Sequence, residues 1–152
     1  MDKTLLEFLR GQKVISVATT NSDGTSWIFN AFYSVTKKGE LFFISDPKAR
    51  HSNNIADNPK VSFSVYWIDE KDMWNRKAIQ GEGECHIVSN PIAIGALVVN
   101  HFKFFPTWKK WMTKKDMVQK LLETRSYLIT PTFMKFWNDE LYGEDGTKEF
   151  KD

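Results

Sequence analysis

The chain has 152 residues and a formal net charge of +2, enough for one domain that buries roughly 70% of its unfolded surface, and too near neutrality to be drawn to nucleic acid or membrane by a global field. Its single cysteine, Cys85, excludes an intrachain disulfide, and with no signal-peptide pattern or long apolar run the expected setting is the reducing cytoplasm. Six Trp, four Tyr and twelve Phe exceed what the core of such a domain requires and point to a pocket that stacks on something flat.

Leu5, Leu6, Phe8 and Leu9 recur at helical spacing between Asp2 and Gly11, so the chain opens with a short amphipathic helix that packs on a sheet. Val14 to Thr20 is rich in β-formers and Asn21-Ser22-Asp23-Gly24 is turn chemistry. Trp27 to Val35 then sets Trp27, Phe29, Ala31, Tyr33 and Val35 on one face against Ile28, Asn30, Phe32 and Ser34, which completes a hairpin. Lys37-Lys38-Gly39 turns the chain again, and Glu40 to Ser45 returns as a further strand.

That strand feeds straight into Asp46-Pro47-Lys48-Ala49-Arg50-His51, and Asn58-Pro59 stops the helix that begins there. Asp46 is suited to cap its first turn and Pro47 to take the first helical position, where a missing N–H has no partner to lose. Lys48, Arg50 and His51 then fall on a turn whose free N–H groups and positive dipole end favour an anion, with the Ser45 hydroxyl beside them. A solvated surface helix would carry the same basic residues, so the pattern alone leaves both readings open.

Val61, Phe63, Val65 and Trp67 alternate with Ser62, Ser64 and Tyr66 in a half-buried strand, and Asp69 to Lys77 is a polar loop. Ala78 to Val88 is another strand, whose Gly81 and Gly83 mark a bend or bulge of the kind that closes barrels. Pro91 to Asn100 is a small-residue apolar helix. Trp108, Trp111, Met112, Val118, Leu121 and Leu122 continue at helical spacing, with Asp116 placed to restart a second helix. Ser126 to Thr130 and Lys135 to Trp137 read as a final strand pair around Pro131, leaving residues 143–152 as a polar tail that frays. The expected architecture is mainly β: a small antiparallel barrel with peripheral helices in one domain over residues 1–142.

Three stretches in this order carry a resemblance: Leu41-Phe42-Phe43-Ile44-Ser45 with Lys48-Ala49-Arg50-His51 and Asn58-Pro59-Lys60-Val61-Ser62, then Gln80-Gly81-Glu82-Gly83-Glu84, then Ile129-Thr130-Pro131 with Phe136-Trp137. Over roughly Val14 to Trp137 the chain resembles the pyridoxamine 5'-phosphate oxidase-like family of FMN-binding split β-barrels, in its short uncharacterised bacterial branch. The resemblance implies a Greek-key split barrel and an FMN shared across a homodimer interface. Ser45 and Arg50 match the residues that hold the cofactor phosphate, and Lys48 is close enough to reach it. His51 stands where the family often has Lys, so full charge there requires protonation. Phe29-Asn30-Ala31 matches the strand that lays its backbone beside the flavin ring, with Ile44 on the neighbouring strand. Arg76 and Trp137 match positions that reach the partner subunit's cofactor.

Departures from the family narrow the substrate. Where oxidases of pyridoxamine phosphate grip the substrate's phosphate with a Tyr, an Arg and a Ser, this chain has Ile94, Val98 and Phe102, and the C-terminal Arg/His motif is missing from Asn138 to Asp152. Pyridoxal phosphate is therefore not the expected product. In a flavin enzyme the cofactor supplies the redox chemistry, so no catalytic side chain is nominated, and Asp57, Glu82 and Glu84 read as solvent-facing. His51, His86, His101 and Cys85 lack metal-ligand spacing, so no metal is expected. Lysines between Lys109 and Lys120, interleaved with Trp108 and Trp111, could bind a nucleic-acid strand; an ordinary surface helix has the same pattern, and neither nucleic acid nor membrane is an expected partner. The expected function is FMN-dependent oxidation or reduction of a small molecule. The alternative is a redox-silent dimeric binding protein whose pocket is empty or holds haem.

Overall fold

The computed structural model describes residues 2–108 and 113–151. Strands β1 (Val14–Thr20), β2 (Ser26–Val35), β3 (Leu41–Ser45), β4 (Lys60–Ile68), β5 (Arg76–Ile87), β6 (Arg125–Asn138) and β7 (Thr147–Lys151) form one sheet in the order β3-β2-β1-β4-β5-β6-β7. A further antiparallel pairing of β3 with β6, running from Leu41↔Ile129 to Ser45↔Arg125, closes β1 to β6 into a barrel. Closure leaves no open edge among those strands.

β6 does two jobs because it is 14 residues long: its first part pairs with β3, and Phe133 to Trp137 pairs with β7. Between them the register to β5 slips, Glu82 facing Phe133 and Gly83 facing Pro131, so Thr132 is the extra residue of a bulge. That bulge is what lets Pro131, which has no N–H to give, sit inside a strand. The separate strand pair expected around Pro131 is accordingly one continuous strand. The expected fraying tail is also corrected, since Thr147–Lys151 is β7 and hydrogen-bonds to β6.

Alternation along β2 and β4 sends Phe29, Tyr33, Val35, Val61, Phe63 and Val65 into the barrel. Helix α1 (Lys3–Gly11) covers one end: Asp2 caps Thr4 and Leu5, Leu5 and Leu9 are fully buried, and the Tyr33 hydroxyl donates to the Leu9 carbonyl at 2.6 Å. Burying each leucine contributes about 2 kcal/mol. Helix α3 (Pro91–Phe104), capped by Asn90, lies outside β2 and β3, where buried His101 meets Ser34 and Phe42. Helix α4 (Lys114–Glu123) starts at a capping box between Thr113 and Asp116, two residues before the restart expected at Asp116. Lys109, Lys110, Trp111 and Met112, part of the lysine-rich stretch, lie outside the described residues. A short helix α5 (Asp139–Tyr142) joins β6 to β7. Among the described residues no helix is long and apolar enough to cross a membrane.

Candidate functional site

Helix α2 (Arg50–Asp57) follows β3, but it begins three residues later than Pro47, where the sequence would start it. Asp46 is used in a turn instead: its carboxylate accepts from Lys48 N–H at 2.7 Å, and its carbonyl accepts from Ala49 N–H at 3.1 Å and the Ser52 hydroxyl at 2.7 Å. Pro47 takes the second position of that turn, which its fixed φ suits as well as it suits a helix start. Lys48 is thereby carried onto an exposed turn, off the helix. The residue left at the N-cap is Ala49, which has no side-chain oxygen, so no side chain caps the first turn of α2.

His51 folds back over the strand end. Its Nε2 lies 2.6 Å from the Ser45 hydroxyl, and its ring stacks on Phe29 at 3.8 Å with an interplanar angle of 12°. Burial holds its pKa below the ordinary 6.5 in spite of the opposing pull of Asp46, so the ring is neutral at pH 7. Arg50 points the other way. Its Nε donates to Asn21 Oδ1 at 3.0 Å, and its guanidinium lies 4.5 Å from the Trp27 ring centre. Asn54, on the next turn, donates to the same Asn21 oxygen at 2.9 Å and to Thr19 at 3.0 Å, tying α2 to the β1–β2 hairpin. Asn21, Trp27 and Asn54 are site residues that sequence reasoning missed, because each reads locally as a turn, strand or helix residue.

Other expected residues divide. Phe29 is buried, Ala31 packs on the core, and Asn30 faces outward to accept from the Ser16 hydroxyl at 2.6 Å. Ile44 and Ser45 line a cavity of about 320 Å3 between β3, α3 and α4, together with Phe32, His101, Phe102 and Trp108. Arg76 and Trp137 do meet: the guanidinium lies 4.5 Å from the Trp137 ring centre, and Asp139 accepts from both Arg76 Nε, at 3.1 Å, and Trp137 Nε1. The Trp137 donor, more than the Arg76 charge, holds the Asp139 carboxyl below its usual range. Within one subunit this pair is remote from Ser45. Ser45 faces Arg125 at the start of β6, and Trp137 lies twelve residues further along it, roughly 40 Å of extended strand. Among the described residues no group of three or more His, Cys, Asp or Glu side chains could hold a metal ion.

A closed antiparallel barrel whose third strand runs through a turn into a short helix with no side-chain cap, with peripheral helices outside it, defines a split β-barrel fold. The sequence of residues 1–114 matches the family described as pyridoxamine 5'-phosphate oxidase, and the chain belongs to that family. No curated protein is a sequence match. Solved structures extend the fold relationship. A conserved hypothetical protein of Mycobacterium tuberculosis superposes with a TM-score of 0.74 at 22% identity, over 91% of this chain and 85% of that one. A haem-binding protein of Mycobacterium smegmatis gives a TM-score of 0.72 at 15% identity, covering 99% of this chain but 59% of the larger relative. An FAD-binding protein of Mesorhizobium loti gives 0.65 at 13%, over 88% and 92%.

Proposed function

We propose that the protein binds FMN across a homodimer and acts in the cytoplasm as an FMN-dependent oxidoreductase on a small substrate other than pyridoxamine phosphate. The observation that carries this reading is the first turn of α2, where Ala49 supplies no side-chain cap and, with the Ser52 N–H given to the Ala49 carbonyl, the Arg50 and His51 N–H groups have no acceptor among the described residues. Ser45 precedes that turn, Lys48 is exposed on it and Arg50 opens the helix after it; these are donors of the kind that hold a phosphate monoester, with the Arg50 guanidinium turning from Trp27 to reach it. The flavin would supply the redox chemistry; the chain's residues bind, orient and shield it. Ser45 and Arg50 would hold the phosphate, with the outward side of Asn30 and Ile44 nearest the ring. Arg76 and Trp137 belong to the same cofactor only if a second copy supplies them, and the outer face of β1, β2 and β4 offers an apolar surface for that copy, with Ile28 65%, Phe32 54% and Tyr66 59% exposed.

The phosphate cradle is weaker than its basic sequence suggests, since His51 is neutral and its Nε2 is taken by Ser45. This favours a second reading in which the cofactor site holds haem, the ligand named for the Mycobacterium smegmatis relative. Visible absorbance of freshly purified protein separates the two, a flavin spectrum or a Soret band. For the flavin reading, Arg50→Ala should weaken FMN binding about tenfold, or ~1.4 kcal/mol, the low end for a charge-assisted hydrogen bond because Arg50 is exposed. Unchanged FMN affinity in that variant removes Arg50 from the site, and a protein that stays monomeric and colourless in excess FMN removes the reading altogether.

A further inference from the structure

We propose that the cavity between β3, α3 and α4 is a binding site for a small uncharged aromatic molecule carrying one hydrogen-bonding group. Its size is at the low end for ligand sites, about 320 Å3, which suits one or two fused rings and no more. Its walls are largely flat. Phe32 meets Trp108 edge-on at 5.6 Å, Trp108 lies against Phe105 at 4.6 Å with an angle of 18°, and Phe102 stands 6.3 Å from Trp108. Aromatic walls favour an aromatic guest through stacking and edge contacts.

One buried polar group gives the pocket its selectivity. His101 is 1% exposed, lines the cavity, and has Nδ1 fixed by the Ser34 hydroxyl at 3.0 Å, while Nε2 has no hydrogen-bond partner among the described residues. A ligand group that bonds Nε2 would complete the ring's hydrogen bonding, which the rest of the apolar wall does not do. Charged ligands are disfavoured. Burial keeps His101 neutral, with its pKa lowered to about 4, so it offers no charge to an anion. The charged lining residues are one Asp and one Lys, Asp46 and Lys120, both exposed and opposite in sign. Because Ser45 belongs both to this cavity and to the candidate cofactor cradle, a guest here would lie beside a cofactor held there. Its role as substrate rests on the flavin reading; its binding does not.

Three probes of similar size test this: benzamide, benzoate and benzylamine, titrated at pH 7.5 into 15N-labelled protein with and without FMN, following the His101 ring signals. Benzamide should move those signals saturably, at least tenfold more tightly than either charged probe. Leu121→Trp, which fills the cavity from α4, should abolish the shift while leaving the amide spectrum elsewhere folded. His101→Gln, able to keep the bond to Ser34 and followed instead by the Trp108 indole N–H signal, should retain the fold and weaken benzamide several-fold by misplacing the second bond. Benzoate binding as well as benzamide, no saturable shift at millimolar benzamide, or a shift that survives Leu121→Trp overturns the proposal. Benzamide binding by a protein that never takes up FMN would uphold the pocket and sink the flavin reading, and the reverse result would do the opposite.

Discussion

His101 gives the most direct quantitative test of the interior. In the folded protein its pKa is lowered from 6.5 to about 4 because α3 presses the ring against Ser34, Phe42, Phe105 and Trp108, where the imidazolium would lose its hydration. The unfolded chain takes up the proton at an ordinary pH near 6.5 and the folded one does not. Stability from this group is therefore complete above pH 6.5 and falls as pH drops toward 4. At ~1.4 kcal/mol per pH unit, the loss approaches ~3 kcal/mol across that window. Half-buried His51 contributes with the same sign. The assay is urea unfolding of wild type and His101→Gln at half-unit steps from pH 7.5 to 4.5. Carboxylates and His51 titrate in both proteins, so the difference isolates His101: it should change by ~2 kcal/mol or more over the series, the variant losing less on acidification. Parallel curves, with a constant gap between the two proteins, would refute a neutral buried His101.

Three further outcomes are expected in the same measurements. Gly83→Ala should cost about 2–3 kcal/mol, because its Cβ would lie 2.4 Å from the Thr130 carbonyl oxygen and 3.0 Å from Pro131 Cα, backbone atoms of β6 that yield only if the bulge opens; a loss under 0.5 kcal/mol would show the bulge to be soft. Gly95→Ala, in the middle of α3 with nothing within 4 Å of the new methyl, should raise stability by about 0.5–1 kcal/mol, measured as an upward shift of the urea midpoint. Tyr33→Phe should lose about 1–2 kcal/mol by leaving the Leu9 carbonyl unpaired in the core, and proteolysis should then cut α1 faster than the barrel.

Local chemistry along the chain was enough for the strands and their inward faces. Alternation in β2 and β4 is a property of neighbouring residues, and it places Phe29, Tyr33, Val35, Val61, Phe63 and Val65 correctly in the core, while Trp27 of the expected inner face stays exposed and Ser34 of the outer face is buried against His101 of α3. The strand-to-helix element and the mainly β barrel class were legible for the same reason, as was the family, whose motifs lie within single segments. What the sequence could not decide were choices between two locally acceptable uses of one residue. Asp46-Pro47 suits a helix start or a turn equally, and the Ser52 hydroxyl bonded to the Asp46 carbonyl accompanies the turn. Pro131 reads as a strand break until a bulge one residue later removes the need for its N–H. The charge of His51 stays open in the sequence until burial, with Phe29 from more than twenty residues earlier stacked on its ring, lowers its pKa. The pocket around His101 depended still more on tertiary structure, since its walls come from β2, β3, α3 and α4. Pairing, burial and desolvation act between segments distant along the chain, so charge state and cavity shape emerged only once the barrel closed and α3 lay down upon it.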